Sequence, residues 1–251
     1  MTEALREKIK NGEEYYGLYI SIGNPASIEL AALAGYDFVR LDLEHDLLSL
    51  AEVRELIRTA TSVQLPVFVR VPSLDNVCAL LDTGASGIIA PMINNREAAI
   101  KAINEVKYAP LGLRGMAGSQ RCTKYGNIKL TDYRVSANED ILLCVQIETK
   151  EGVENIDDIL SLEGIDMVSS GKNDLSQSYG LPGQNNHPVV LEAENKVLAG
   201  AIAHGKQPVL LVSSEKRKNE LAAKGVRGFM LGRDTQLLRD AMKANLAAYR
   251  K

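Results

Sequence analysis

Short apolar runs rich in β-branched residues recur along this chain, and helix-length stretches separate most of them. The runs are Leu18–Gly23, Phe38–Leu43, Val67–Val71, Gly87–Pro91, Leu142–Ile147, Met167–Ser170, Val209–Val212 and Gly228–Leu231. They are continuous rather than alternating, which is how strands buried on both faces read. Helices are expected at Ser49–Ser62, Arg96–Lys107, Lys150–Leu160, Glu192–Ala203 and Glu215–Lys224, and Ser49 with Glu52 three residues on forms a capping-box pattern. Gly35, Gly84, Gly205 and Gly225 follow apolar helical stretches and fit helix C-termini. Eight such alternations predict an α/β protein with a closed parallel sheet, a TIM (β/α)8 barrel, as one domain over 1–251. Residues 109–138 break the rhythm. Their weak periodicity predicts a long loop, of the kind that serves function or an interface. The final helix, Asp234–Tyr249, is expected either to close the barrel or to pack on a neighbour.

The 251 residues match one barrel of about 250, and 45% hydrophobic with 24% charged residues excludes a disordered chain. A net charge of −3 offers no footprint for nucleic acid, and the run Lys216-Arg217-Lys218 reads as a solvated helix face. Cys78, Cys122 and Cys144 have neither disulfide nor metal-ligand spacing, and Cys144 sits in an apolar run as a core residue. No apolar stretch approaches the roughly 20 residues of a membrane span, and residues 1–11 lack a signal region. A cytoplasmic protein is the expectation.

In a TIM barrel, chemistry sits at the C-terminal strand ends. There this chain places Asp42, Glu44 and His45 after the second strand, Arg70 after the third, Gln146 and Glu148 after the fifth, and Gly171-Lys172-Asn173-Asp174 after the sixth. Glu148 and Asp174 are one strand apart, and neighbouring strands are about 5 Å apart, so both carboxylates can reach one cation. Carboxylates without His or Cys companions suit a hard divalent ion, Mg2+ or Mn2+. The plainer alternative is that each caps a helix. His45 is read as a general base, against a structural partner to Asp42 or Glu44. Arg70 is read as a fixed cation facing a developing oxyanion, against a buried ion pair. The Gly171–Asp174 turn offers backbone amides to an anion.

At these residues the sequence resembles the HpcH/HpaI aldolase family nearly end to end. The matching stretches are GYDFVRLDLEH at 35–45, FVRVP at 68–72, LLDTGASGIIAPMI at 80–93, PLGLRG at 110–115, QIETKEGVENIDDI at 146–159 and GKNDLSQSYGLPG at 171–183. The resemblance implies a metal-dependent aldolase that cleaves a 4-hydroxy-2-keto acid to pyruvate, or a related 2-keto acid, and an aldehyde. It implies Glu148 and Asp174 as ligands of Mg2+ or Mn2+, with Co2+ a third candidate. It also implies Arg70 on the keto oxygen, His45 as base with Asp42 orienting it, and Asp82 reaching His45 across a subunit interface. Gln146, Gly171, Asn173 and Asp174 would line the substrate pocket. A hexamer, a trimer of dimers with swapped C-terminal helices, is implied as well.

Two departures stand out. Lys172 replaces the proline usual after the turn glycine; it reads as a surface change, a substrate contact or an imine-forming lysine. Near the first strand, Gly17-Leu18-Tyr19-Ile20 lacks the usual tryptophan, and the chain has none. The competing readings are a CoA-thioester lyase of the citrate lyase β type and a barrel that binds a 2-keto acid without turnover.

Overall fold

The computed structural model describes residues 3–250. Residues 1, 2 and 251 of the expected 1–251 unit therefore lie outside the described part. Eight parallel strands close into a barrel in chain order: β1 Tyr15–Ile20, β2 Phe38–Asp42, β3 Val67–Arg70, β4 Gly87–Ala90, β5 Leu142–Gln146, β6 Met167–Ser169, β7 Gln207–Leu211 and β8 Gly228–Arg233, which pairs back with β1. The α/β barrel expected from the apolar rhythm is the observed fold.

Period two divides each strand between two environments. Val39, Leu41, Val67, Val69, Ile88, Leu143, Val145 and Val168 point outward and join the helices in one large core. Phe38, Phe68, Ile89, Leu142, Cys144, Met167, Val209 and Met230 point inward and fill the barrel with Tyr15. Cys144 is buried as expected, and that burial pushes its thiol up to about 12. Glycines make room for the aromatic rings. A Cβ on Gly17 would lie 2.3 Å from the Phe38 ring, and one on Gly87 2.5 Å from Phe68 and 2.6 Å from the Leu142 carbonyl.

Four differences from the sequence reading have a physical reason. First, β1 starts at Tyr15, three residues before the expected Leu18, and ends at Ile20. Tyr15 is fully buried against Phe38, ring centroids 6.0 Å apart, although two glutamates precede it. Beyond Ile20 the amides of Ser21 and Ile22 turn to the Asp234 carboxylate at 3.1 and 3.0 Å instead of continuing the ladder. Second, residues 109–138 are not all loop: a short 3-10 turn spans Arg121–Thr123 and a helix spans Leu130–Asp140. That helix buries only Ala137 completely, so its sequence carries no apolar stripe. It is tied down by polar contacts instead, Asn138 exchanging hydrogen bonds of 2.7 and 2.9 Å with the Tyr108 backbone. Third, Lys150–Leu160 breaks at Asn155 into Lys150–Glu154 and Ile156–Leu160. Fourth, the basic run at 216–218 is only partly solvated, because Arg217 pairs with the buried Glu194 and Lys218 with Glu14 at 2.9 Å.

The caps follow the sequence. Ser49 and Glu52 form the capping box, and Gly35, Gly84, Gly205 and Gly225 all adopt positive φ. The C-terminal helix, Asp234–Tyr249, buries none of its residues and exposes Leu238, Met242, Leu246 and Tyr249 along one face. Among the described residues no helix is long and apolar enough to cross a membrane.

Because the Leu142 carbonyl that crowds Gly87 is backbone, it cannot swing away. Gly87→Ala is expected to lower unfolding stability by about 1–3 kcal/mol, the usual cost of overpacking. Denaturant melts check this, and an unchanged midpoint would show that β4 and β5 part without penalty.

Candidate active site

The inward columns that are apolar deep in the barrel become polar at its C-terminal mouth. On β2 the column runs Phe38, Arg40, Asp42; on β3 Phe68, Arg70; on β5 Leu142, Cys144, Gln146. Strand register then decides which polar groups meet. Asp42 is the direct partner of Arg70, and Tyr19 is the partner of Arg40 on one side and Arg233 on the other.

Asp42 is fully buried. Arg70 grips it with two N–H groups, Nε at 2.9 Å and Nη2 closer still, while Arg233 Nη2 approaches at 3.4 Å and the Glu44 amide donates at 3.1 Å. Burial works against the Asp42 charge, but the Arg70 hydrogen bonds and charge outweigh it and hold the carboxyl at about 2. Burial likewise works against the Arg70 charge, and Asp42 and Glu44, the latter at 2.8 Å, more than restore it.

Glu148 follows β5 and is buried, with Oε1 accepting from the Met92 amide at 2.9 Å and Oε2 from Gln146 Nε2 at 3.3 Å. It does not cap the next helix; Thr149 does. Asp174 likewise makes no capping bond, and Gly171 stands at the N-cap of its helix, Lys172–Ser178. A Cβ at position 171 would lie 2.4 Å from Glu148 Oε2, so only glycine lets the carboxylate sit there. Burial first, then the nearby Asp174 charge, pushes the Glu148 carboxyl up to about 7 against the pull of the Met92 amide. Neither carboxylate has an ion-pair partner among the described residues. The pair is short of positive charge, and two hard oxygen donors facing one cavity fit a divalent cation with open positions. No cluster of three or more His, Cys, Asp or Glu completes a cage there among the described residues.

The cavity measures about 440 Å³ and is lined by His45, Arg70, Gln146, Glu148, Gly171, Asn173 and Asp174, all singled out from sequence. His45 lies exposed at its mouth, Nε2 3.8 Å from Glu44. The Asp42 carboxylate accepts the His45 backbone amide at 3.4 Å as well as the Arg70 guanidinium, and among the described residues it makes no contact with the His45 side chain. Asp82 is not in the cavity wall. It sits on the helix Val77–Thr83, paired with Arg114 at 2.7 Å and contacted by the thiols of Cys78 and Cys122 at 3.9 and 3.8 Å.

Sequence reasoning missed Arg40, Tyr19, Arg233, Glu194 and Arg217. Arg40 is buried inside the barrel, donates to Tyr19 Oη at 2.9 Å and to Gln146 Oε1 at 3.0 Å, and stacks 4.6 Å from the Tyr19 ring centre. Arg233 flanks that ring at 5.4 Å and pairs with Asp46 at 2.8 Å. The usable signal was an arginine two residues from both Phe38 and Asp42, hence on the same inward face. Glu194 and Arg217 meet only through the packing of the two helices on either side of β7, Pro188–Ala203 and Glu215–Ala222, which no local pattern announces.

The sequence pattern of the HpcH/HpaI aldolase/citrate lyase family matches residues 15–241. The chain is 32% identical over 238 residues to a 5-keto-4-deoxy-D-glucarate aldolase of Citrobacter koseri, covering 94% of this chain and 91% of that one. Among solved structures it resembles the citrate synthase SbnG, with a TM-score of 0.90, 34% identity and 98% and 97% of the two chains covered. It also resembles an HpcH/HpaI aldolase of Desulfitobacterium hafniense DCB-2, with a TM-score of 0.91, 28% identity and 98% and 96% covered.

The Asp42–Arg70 pair generates a pH signature. A carboxyl lowered on folding contributes stability that is fully present above its unfolded value and is lost as pH falls through about 2. Asp42→Asn is therefore expected to destabilise the protein at neutral pH, and its stability gap from wild type should close between about pH 4 and pH 2. Denaturant titrations across that range check it; a gap that stays constant would contradict the assignment.

Proposed function

The chain belongs to the HpcH/HpaI aldolase/citrate lyase family, and on that premise we propose that it is a divalent-metal-dependent carbon–carbon lyase. It reversibly cleaves a 4-hydroxy-2-keto acid to pyruvate, or a related 2-keto acid, and an aldehyde. The observation that carries this reading is the carboxylate pair Glu148 and Asp174, without an ion-pair partner among the described residues, in one cavity with the fixed guanidinium of Arg70.

Glu148 and Asp174 would hold the ion, Mg2+ or Mn2+, with Co2+ a third candidate. When bound, such an ion supplies positive charge beside an oxygen that becomes an enolate. The chain's own residues do the rest. Arg70, pinned by Asp42 and Glu44, faces the keto oxygen and stabilises the charge that grows on it, at no cost of reorientation. The backbone amides at Asn173 and Asp174 take the carboxylate of the keto acid. Gln146, held between Arg40 and Glu148, fixes the position of Glu148. In the condensing direction His45 takes a proton from carbon 3 of the keto acid, directly or through water, and the C–H electron pair becomes the C2–C3 double bond of the enolate. Carbon 3 then attacks the aldehyde carbon. The resulting alkoxide recovers the proton from His45, and cleavage is the reverse sequence.

Asp82 enters this scheme as a residue that reaches His45 of a neighbouring copy. The exposed stripe Leu238, Met242, Leu246 and Tyr249 supports assembly into a homo-oligomer, which we take to be a hexamer built as a trimer of dimers with exchanged C-terminal helices. The similarity to a protein described as a citrate synthase favours one second reading, the same enolate chemistry with an acyl thioester as donor.

Methyl-proton exchange of pyruvate in D2O, followed by NMR, tests the reading. Exchange is expected with Mg2+, to stop with EDTA, and to slow about 100- to 1,000-fold in Arg70→Ala, the typical loss of one oxyanion donor. EDTA-resistant exchange would overturn metal dependence, and exchange with an acyl thioester but not with pyruvate would select the second reading. For assembly, Leu238→Glu with Met242→Glu is expected to reduce the particle size in analytical ultracentrifugation. An unchanged size would remove the helix from the interface.

A further inference from the structure

We infer that Met92 is a positioning residue for Glu148: its backbone, held in a left-handed conformation, aims the N–H that fixes which carboxylate oxygen turns toward Asp174. This rests on the metal-binding reading of Glu148 and Asp174 and adds a residue to it.

The first observation is conformational. Met92 has a φ of 55°, a region that residues other than glycine seldom occupy. Among the described residues four non-glycine positions share a positive φ. Gln64, Lys124 and Tyr125 lie in exposed turns, and Met92 alone stands just past a barrel strand. Its side chain does not explain the cost. That side chain is 47% exposed, joins no core cluster among the described residues and does not line the cavity.

The backbone does explain it. Register pairs Ala90 of β4 with Val145 of β5, and the bond beyond them runs from the Ile93 N–H to the Gln146 carbonyl at 3.1 Å. Pro91 has no N–H to offer. The Met92 N–H leaves the ladder and donates to Glu148 Oε1 at 2.9 Å. In a strand successive N–H groups point to opposite sides, whereas a left-handed residue lets neighbouring N–H groups converge. The turn at Met92 thus brings its own N–H and that of Ile93 to the β5 side together.

Neighbouring contacts hold that turn. Thr149 Oγ1 donates to Asn94 Oδ1 at 2.6 Å, Asn155 Nδ2 to the Asn94 carbonyl at 2.9 Å, and Asn95 Nδ2 to Glu151 at 3.3 Å. Asn155, where the helix expected over 150–160 breaks, spends its side chain on this tie. A Cβ on Gly152 would lie 2.9 Å from the Ile93 carbonyl, so the two segments meet through their backbones. Strained residues persist where their surroundings over-determine them. The consequence falls on the carboxylate. With Oε1 engaged by Met92, Oε2 is the oxygen set against Gly171, inside the space a Cβ would take, and Asp174 Oδ2 lies 3.4 Å from the same point. Each carboxylate presents one oxygen across Gly171. Released from Met92, Glu148 would be free to rotate about its terminal bond and lose that orientation.

The test compares Met92→Val, Met92→Leu and Met92→Gly. A β-branched side chain resists positive φ, glycine adopts it freely, and leucine keeps the bulk of methionine at a similar backbone cost. Calorimetric titration of chelator-stripped protein with Mn2+ should show binding about tenfold weaker in Met92→Val, as for loss of one hydrogen bond to a charged group. Met92→Gly and Met92→Leu are expected to stay within about threefold of wild type. Unchanged affinity in Met92→Val, or an equal loss in Met92→Gly, would overturn the proposal. Hydrogen–deuterium exchange of the metal-free protein, read by mass spectrometry on peptides containing Met92, needs neither metal nor a Met92 variant. The Met92 amide is expected to exchange about tenfold faster in Glu148→Ala, while the amides of Gly87–Ala90 keep their wild-type rates. Equal exchange at Met92, or a rise shared by Gly87–Ala90, would refute the assignment. This second measurement decides the matter if Met92→Val does not fold or if wild type binds no Mn2+, and in the latter case the metal reading fails separately.

Discussion

The buried contact between Asp42 and Arg70 organises the mouth of this barrel. Both residues end their strands, register makes them direct neighbours, and the guanidinium is gripped through two of its nitrogens. A buried ion pair of this kind gains little stability over an apolar pair of the same volume, since desolvation offsets most of the attraction. Its return is direction. The Arg70 plane is fixed by Asp42 on one side and Glu44 on the other, and Arg233 is drawn in toward the same carboxylate. From Arg233 the order continues through Tyr19 to Arg40, then to Gln146 and Glu148. A chain of contacts thus links five strands and sets the cavity wall before any ligand arrives.

Charge is balanced unevenly around that wall. On the β2, β3 and β8 side cations and carboxylates are matched. On the β5 and β6 side they are not: among the described residues neither Glu148 nor Asp174, which lie together, forms an ion pair, and Lys172 has no carboxylate partner. Lys172 does not neutralise the carboxylates, so both imbalances survive. Unpaired charge in a partly enclosed site is costly to maintain, and under the proposed function a divalent ion would relieve the carboxylates.

Much of this was legible in the sequence. Parallel strands buried on both faces write themselves as apolar runs, and glycine or Ser–Glu caps mark the helix ends, so the barrel could be read directly. The rim was legible because Arg70, Gln146 and Glu148 interrupt or end such runs, and Asp174 follows the sixth. Tyr15 was missed because glutamates disguise the start of β1, and Leu130–Asp140 because polar ties rather than an apolar stripe hold it. Arg40 was hidden inside a run taken as wholly core. Glu194 and Arg217 were unreadable for a different reason: their meeting depends on how two helices pack across the barrel exterior. Asp82 lies outside the cavity of its own chain, and its expected role belongs to an assembly of several copies.

The central claim is that Glu148 and Asp174, which form no ion pair among the described residues, bind a divalent cation together. Electron paramagnetic resonance of Mn2+ added to chelator-stripped protein measures this directly, since free and bound Mn2+ give distinct signals. The account predicts a single bound ion per chain in wild type, lost in both Glu148→Gln and Asp174→Asn while the fold persists. Binding of equal strength in those variants, or none in wild type, would contradict it.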